Sequence, residues 1–107
     1  KFLITGCGGQ IGTALIPHMK NKYGVENVIS TDLNIDKLQK DEGVYEKLDV
    51  TDFNSYRNLV EKYNIDYILH LSGILSATGE QNPKLAIDVN VNGIINGLNI
   101  AKEFKTK

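Results

Sequence analysis

A glycine-rich segment between an apolar run and a helical pattern constrains the fold of this chain more than any other feature. The apolar run extends from Phe2 to Thr5, residues 6–12 read GCGGQIG, and a helical pattern then continues to Gly24. A short apolar run that ends in glycine is typical of a buried strand. Glycines at such a turn let backbone N–H groups approach an anion, and the N-terminus of the next helix attracts negative charge. The segment therefore predicts a strand–turn–helix unit that binds phosphate groups.

The glycines of this segment have the spacing G-x-x-G-x-x-G, because Ile11 stands where the last glycine of G-x-G-x-x-G would fall. Both spacings remove side chains where the backbone must come close to a pyrophosphate. We expect five residues of the segment to bind a dinucleotide: Gly6, Gly9, Gln10, Ile11 and Gly12.

Asp32 lies at the end of the next predicted strand, residues 27–32. It follows the loop by about 20 residues, which is the interval typical of dinucleotide-binding sites. Its carboxylate can accept hydrogen bonds from the hydroxyls of the adenosine ribose and would repel a 2′-phosphate. The only arginine, Arg57, is distant in the sequence and offers no nearby positive charge. The spacing therefore favours NAD over NADP.

Strand and helix patterns alternate along the whole chain. Further strands are predicted at 44–50 and 66–71, and further helices after Thr51 or Asp52 and from Asn82-Pro83 to about Phe104. Strands separated by helices pair in parallel through right-handed crossovers. We therefore predict an α/β fold: a Rossmann-type parallel sheet with flanking helices, in strand order 3-2-1-4, which is the N-terminal half of the complete fold.

A second acidic residue, Asp49, ends the third predicted strand within the segment LDVTD, residues 48–52. This edge of the sheet should pass beside the adenine, where a carboxylate can accept a hydrogen bond from the exocyclic amine. We expect Asp49 and its neighbour Val50 to contact the cofactor. Asp52 is expected only to cap the following helix.

The motifs TGxxGxxG (residues 5–12), LDV (48–50) and HLSG (70–73) together resemble the extended short-chain dehydrogenase/reductase family. The resemblance implies further NAD contacts at Leu71, Ser72 and Gly73. Asn90, in NVNG at 90–93, matches the family's Asn-containing motif and is either close to the cofactor or braces a strand. The family's catalytic Tyr-x-x-x-Lys pair does not occur here, so no catalytic residue is expected in this chain. The resemblance makes residues 1–107 the N-terminal part of an NAD-binding domain, with that pair and the substrate domain in the remainder.

Two longer stretches, residues 8–12 and 75–83 (LSATGEQNP), are similar to the L-threonine 3-dehydrogenase branch of this family. That similarity implies NAD-dependent oxidation of L-threonine to 2-amino-3-oxobutanoate, with Ser76 and Thr78 as substrate contacts. The fragment alone would be inactive. Two alternatives are a nucleotide-sugar epimerase or dehydratase of the same superfamily and a non-catalytic NAD-binding sensor. The sequence after Lys107 would discriminate among the three.

The composition of the chain argues against nucleic acid, membranes and metal ions as partners. The chain is 41% hydrophobic and 23% charged, with a net charge of −1, so no strong field attracts nucleic acid or an anionic membrane. Cys7 is the only cysteine, no residues have the spacing of a metal site, and no apolar run could span a bilayer.

We expect a cytoplasmic protein, or a mitochondrial one if a transit peptide was removed. We also expect no nucleic-acid or membrane partner, and a homodimer when the protein is complete, because family members dimerise through helices like the last one here.

Overall fold

The computed structural model of the protein describes residues 1–37, 42–72 and 83–107. Its strands are β1 (Phe2–Thr5), β2 (Val28–Asp32), β3 (Val44–Lys47) and β4 (Tyr67–His70). Its α-helices are α1 (Gln10–Tyr23), α2 (Phe53–Lys62), α3 (Pro83–Ile87) and α4 (Gly93–Phe104). Short 3₁₀ turns occupy Val25–Asn27 and Ile35–Lys37, and a π-helical turn at Asp88–Asn92 joins α3 to α4.

The four strands form one parallel sheet in the order β3-β2-β1-β4. The prediction of a parallel Rossmann-type sheet in strand order 3-2-1-4 is therefore confirmed. In the register of the sheet, Thr5 at the end of β1 lies opposite His70 at the end of β4. The chain thus leaves β1 and β4 side by side, at the point where the strand order reverses and where ligands bind in such folds.

Both faces of the sheet are covered, because alternate residues of each strand point to opposite sides. Leu3 and Ile29 pack with Tyr56 and Val60 of α2 and with Ile100 of α4. On the other face, α1 covers a second core cluster, which consists of Ile4, Cys7, Ile16, Met19 and Val28. This two-sided burial explains why β1 begins with a continuous apolar run, and it buries β2 from Val28 to Thr31 although Ser30 and Thr31 are polar.

The ends of three predicted strands need correction. The second strand begins at Val28, because Val25–Asn27 forms a 3₁₀ turn. The third ends at Lys47 rather than Val50, because a turn follows in which the Asp52 N–H donates to the Asp49 carbonyl at 2.9 Å. The fourth is Tyr67–His70, one residue shorter at each end than predicted.

The predicted helix ends agree well with the structure. α1 ends as predicted at Gly24, whose N–H donates to the Lys20 carbonyl. Asp52 caps α2 by accepting from the Ser55 N–H at 3.2 Å, as expected. The long last helix is helical from Pro83 to Phe104, but the π-helical turn interrupts its regular α-geometry. Within the three described ranges, no helix combines the length and the apolar character needed to cross a membrane.

Candidate nucleotide-binding site

Gly6 brings the end of β1 against the segment that leaves β4. Its φ of 69° lies in the left-handed region that L side chains rarely adopt. A Cβ on Gly6 would lie 2.7 Å from the Ser72 nitrogen and 2.8 Å from the Leu71 carbonyl oxygen. The predicted site residues Gly6, Leu71 and Ser72 are therefore in direct contact.

Thr5 forms hydrogen bonds that link the end of β1 to the segment after β4. Its side chain is fully buried, and its Oγ1 accepts hydrogen bonds from the Leu71 N–H at 3.1 Å and the Ser72 N–H at 3.2 Å. The Leu71 N–H also donates to the Thr5 carbonyl at 3.3 Å, whereas the Ser72 N–H lies beyond the end of the ladder and is satisfied by the hydroxyl. The hydroxyl thus fixes the backbone on both sides of the crevice between β1 and β4.

The first turn of α1 carries no acidic residue of its own. The N-cap of the helix, Gly9, has no side chain to cap it. The first N–H groups of a helix have no partner within the helix. Gln10 and Ile11 are exposed there, so the positive end of the helix dipole is accessible to an anion.

Gly12 packs closely on the loop. A Cβ at this position would lie 2.7 Å from Cys7 Cα and 2.8 Å from the Gly6 carbonyl oxygen. Cys7 itself is buried: its thiol donates to the Ile4 carbonyl at 3.1 Å and accepts from the Thr31 N–H at 3.2 Å. Burial raises the pKa of the Cys7 thiol to about 11, so it stays protonated and serves to link the loop to β1 and β2.

Asp32 faces the glycine-rich loop from the end of β2. Its Oδ2 accepts from the Gly8 N–H at 2.8 Å, and its Oδ1 accepts from the Asn34 N–H at 2.9 Å. A carboxylate has about four acceptor positions, so each oxygen can still accept another hydrogen bond. The carboxylate is held in place by two backbone donors and retains the capacity to bind hydroxyl groups.

Asp49 lies beyond the end of β3 and is exposed. Its Oδ1 accepts from both the N–H and the hydroxyl of Thr51, at 3.0 and 2.7 Å. The adjacent Val50 is held by α4, since Asn96 Nδ2 donates to the Val50 carbonyl at 2.9 Å. Sequence reasoning missed Asn96, although a polar residue on a mostly apolar helix is a signal of such a contact.

A groove of about 180 Å³ lies between the ends of the strands; Gly6 lines it, but the other predicted residues of the glycine-rich segment, Gly9, Gln10, Ile11 and Gly12, do not. Five of the predicted site residues line it: Gly6, Asp32, Asp49, Val50 and Ser72. Four further lining residues were not predicted: Leu33, Asn34, Leu48 and Val89. The first three directly follow Asp32 or precede Asp49, so the adjoining sequence could have indicated them. Val89 could not be predicted, because its place depends on the π-helical turn; Asn90 is half-buried in the same turn.

Three predicted positions, Gly73, Ser76 and Thr78, lie outside the described residues. Among residues 1–37, 42–72 and 83–107, no group of three His, Cys, Asp or Glu side chains could hold a metal ion.

His70 lies beside the site, in the core interface between β4 and the α2–α4 face. Its Nδ1 is 3.1 Å from the Tyr56 hydroxyl, and burial lowers the pKa of His70 and raises the pKa of Tyr56. Both side chains are therefore neutral near pH 7. His70 is therefore a hydrogen-bonded residue of this interface.

The family model described as GDP-mannose 4,6 dehydratase matches residues 3–107, which is nearly the whole chain. The chain belongs to the extended short-chain dehydrogenase/reductase family. The family resemblance inferred from the motifs at 5–12, 48–50 and 70–73 is thereby confirmed.

Relatives of this short-chain dehydrogenase/reductase chain carry two kinds of name. An L-threonine dehydrogenase from Clostridium difficile is 43% identical with a TM-score of 0.94, over 100% of this chain and 34% of its own. A GalE-like L-threonine dehydrogenase from Cupriavidus necator, in its holo form, is 33% identical with a TM-score of 0.94, over 100% and 35%. A Staphylococcus epidermidis protein named as an uncharacterized epimerase/dehydratase is 40% identical over 109 residues, covering 100% of this chain and 34% of its own. The chain thus spans about a third of the length of these relatives.

Proposed function

We propose that the full-length protein is an NAD-dependent L-threonine 3-dehydrogenase, which oxidises the side-chain hydroxyl of L-threonine to give 2-amino-3-oxobutanoate. The observation that carries this proposal is the 43% identity to the C. difficile L-threonine dehydrogenase, at a TM-score of 0.94 across the whole chain. Residues 1–107 then form the N-terminal part of the NAD-binding domain, and the remainder holds the catalytic Tyr/Lys pair and the substrate domain.

The groove and the N-terminus of α1 together have groups that suit each part of the ADP half of NAD. The accessible N-terminus of α1 suits the pyrophosphate, Asp32 suits the ribose hydroxyls, and Asp49 suits the exocyclic amine of adenine. Leu33, Leu48 and Val89 supply apolar surface for the flat faces of the base. The described residues therefore fit the cofactor.

The electrostatics favour NAD over NADP. A 2′-phosphate on the ribose would meet the Asp32 carboxylate. Arg57, the only arginine, lies on α2 and is paired with Glu61 at 2.8 Å and Glu103 at 2.7 Å. The guanidinium of Arg57 is thus neutralised by two glutamates outside the groove and does not offset the charge of a 2′-phosphate.

Bound NAD would supply the hydride acceptor for the oxidation. The part played by residues 1–107 is to bind and orient the cofactor: Thr5 and Gly6 fix the walls of the crevice, and Asp32 anchors the ribose. Proton transfer from the substrate hydroxyl belongs to the remainder of the protein.

The proposal is tested with purified full-length protein, L-threonine and NAD. We expect NADH to appear only when both are present, with formation of 2-amino-3-oxobutanoate identified by mass spectrometry. The matched control is Asp32→Ala, which removes the proposed ribose ligand and should weaken NAD-dependent turnover. Absence of threonine oxidation in a folded protein that binds NAD would contradict the threonine assignment.

The second candidate is a nucleotide-sugar epimerase or dehydratase. It is favoured by the description of the matching family, GDP-mannose 4,6 dehydratase, and by the name of the S. epidermidis relative. The same protein is therefore assayed with GDP-mannose and UDP-glucose. Conversion of either sugar without threonine oxidation supports this candidate, and NAD binding with no turnover of any substrate supports the non-catalytic sensor.

A further inference from the structure

We propose that Thr51 is a positioning residue that fixes the Asp49 carboxylate so that the site selects dinucleotides with a 6-amino purine over those with a 6-oxo purine. This inference rests on the proposed NAD site. It assigns to a side chain outside the groove lining a role in the choice of base.

Thr51 donates two hydrogen bonds to one and the same oxygen of Asp49. The backbone N–H of Thr51 is 3.0 Å from Asp49 Oδ1, and its hydroxyl oxygen is 2.7 Å from that atom. The other oxygen, Oδ2, accepts no hydrogen bond from any residue of the described ranges. The carboxylate is therefore held by one oxygen, and the other is left to accept from a ligand.

Asp49 is flanked in the groove by Leu48 and Val50, both nearly fully buried. The exposed carboxylate is thus the polar group that this segment offers to a bound base. A 6-amino purine presents an N–H donor at its exocyclic position, whereas a 6-oxo purine presents a carbonyl oxygen there. A carboxylate oxygen attracts the donor and repels the carbonyl, so a fixed Asp49 distinguishes the two bases by both attraction and repulsion.

The hydroxyl of Thr51 does more than form the local turn, because it also fixes the orientation of the Asp49 carboxylate. The backbone N–H alone is sufficient for the local turn, in which an Asp side chain accepts from the residue two positions later. The hydroxyl adds a second donor that restricts rotation of the carboxylate, and a group that is already fixed loses less entropy when a ligand binds. Removal of the hydroxyl therefore leaves the turn in place but frees the carboxylate.

The chain offers a close control in the next turn. Ser55 places its hydroxyl 2.8 Å from Asp52 Oδ2, so it forms the same kind of hydroxyl–carboxylate hydrogen bond. Asp52 caps α2 and does not line the groove. Ser55→Ala thus removes an equivalent interaction without touching the proposed base contact.

The test measures the affinities of full-length protein for NAD and for nicotinamide hypoxanthine dinucleotide, its 6-oxo analogue, by isothermal titration calorimetry. We expect the unmodified protein to prefer NAD, and Thr51→Val to reduce that preference by roughly three- to tenfold, the value of one hydrogen bond. Thr51→Ser, which keeps a hydroxyl, and Ser55→Ala should retain the preference. Thr51→Ala provides a second hydroxyl deletion if the valine variant does not fold.

An unchanged ratio of the two affinities in Thr51→Val and Thr51→Ala would overturn the inference, as would equal binding of both dinucleotides by the unmodified protein. A loss of preference in Thr51→Ser equal to that in Thr51→Val would also overturn it, because the hydroxyl would then not be the cause. Failure of the unmodified protein to bind either dinucleotide would instead refute the proposed NAD site.

Discussion

Asp32 receives backbone hydrogen bonds from both sides of the groove, from Gly8 in the glycine-rich loop and from Asn34 after β2. Two donors fix the carboxylate before any ligand arrives, so its orientation costs little entropy on binding. The same contacts mean that the side chain also supports the loop. A substitution at Asp32 is therefore expected to act on the ribose contact and, to a smaller degree, on the loop.

Asp32→Ala should weaken binding of NAD by roughly ten- to a hundredfold, because hydrogen bonds between a charged acceptor and the ribose hydroxyls are lost. Binding of NADP should improve relative to NAD, since the repulsion of the 2′-phosphate disappears. Asp32→Asn removes the charge and keeps one oxygen acceptor, which can still accept from the Gly8 N–H of the loop, while the amide NH2 cannot accept from the Asn34 N–H. It therefore tests the effect of the charge on NADP binding with less loss of loop support than Asp32→Ala. Equilibrium titrations of the full-length protein measure both affinities, and an unmodified protein that prefers NADP would refute the role of Asp32.

His70 predicts a pH dependence of stability. Burial lowers its pKa in the folded protein, so the unfolded chain binds the proton more readily. The free energy of unfolding should therefore fall as the pH decreases from the pKa of histidine in the unfolded chain, about 6.5, toward the lower pKa of His70 in the folded protein. Above pH of about 6.5 the stabilisation by neutral His70 should be complete. For one proton the slope cannot exceed about 1.4 kcal/mol per pH unit.

Urea denaturation of the full-length protein at a series of pH values measures this slope. His70→Gln should reduce it, whereas His18→Gln, which alters an exposed histidine of α1, should leave it unchanged. A slope that persists in His70→Gln would show that another group is responsible.

The ends of β1 and β4 illustrate what the sequence can and cannot predict at the scale of elements. Apolar runs, the glycine spacing and the cap residues at Gly24 and Asp52 predicted the strands and the helix boundaries, because these depend on local chemistry. The strand order is not local, and its prediction came from the general topology of Rossmann-type sheets. The hydrogen bonds from Leu71 and Ser72 to Thr5 could not be predicted, because they join residues more than 60 positions apart. The place of Val89 in the groove likewise depends on a π-helical turn that no sequence pattern indicated.

Thr5→Val should destabilise the junction of β1 and β4. The substitution keeps the shape of the side chain but removes the hydroxyl that accepts from the Ser72 N–H, while the Leu71 N–H keeps its bond to the Thr5 carbonyl at 3.3 Å. The loss of that acceptor should lower the free energy of unfolding by about 1–3 kcal/mol. Thr13→Val is the matched control, since its hydroxyl donates to the Gly9 carbonyl on an exposed part of α1 and its loss should cost less than about 0.5 kcal/mol. Equal effects in denaturant titrations of the two variants would contradict the role assigned to Thr5.

In the whole molecule, the outer edge of β4 and one apolar stripe, which runs from α3 through the π-helical turn into α4, remain exposed among the described residues. The stripe consists of Ile87, Val91, Ile94 and Leu98, each between 47% and 65% exposed. The outer edge of β4 is paired only at its start, where the Ile68 N–H donates to the Lys107 carbonyl and the Lys107 N–H donates to the Asp66 carbonyl. These two bonds have the pattern of a parallel bridge between Lys107 and the start of β4.

Isolated residues 1–107 should therefore self-associate, because exposed apolar stripes and strand edges favour contacts between chains. Val91→Glu places a charge in the stripe and should shift the population toward monomer, as measured by light scattering. Asn99→Glu adds the same charge at an exposed polar position of α4 and should have little effect. A monodisperse monomer of the unmodified fragment with a cooperative melt would contradict this prediction, and the same pair of variants in the full-length protein tests the expected homodimer.

A crystal structure of the full-length protein with NAD would show whether this groove binds the adenosine part of the cofactor, with the pyrophosphate at the N-terminus of α1. We predict ribose hydroxyls within hydrogen-bond distance of Asp32, the adenine amine against Asp49, and the pyrophosphate at the N-terminus of α1. NAD bound elsewhere, or bound in this groove with Asp32 turned away from the ribose, would contradict the account.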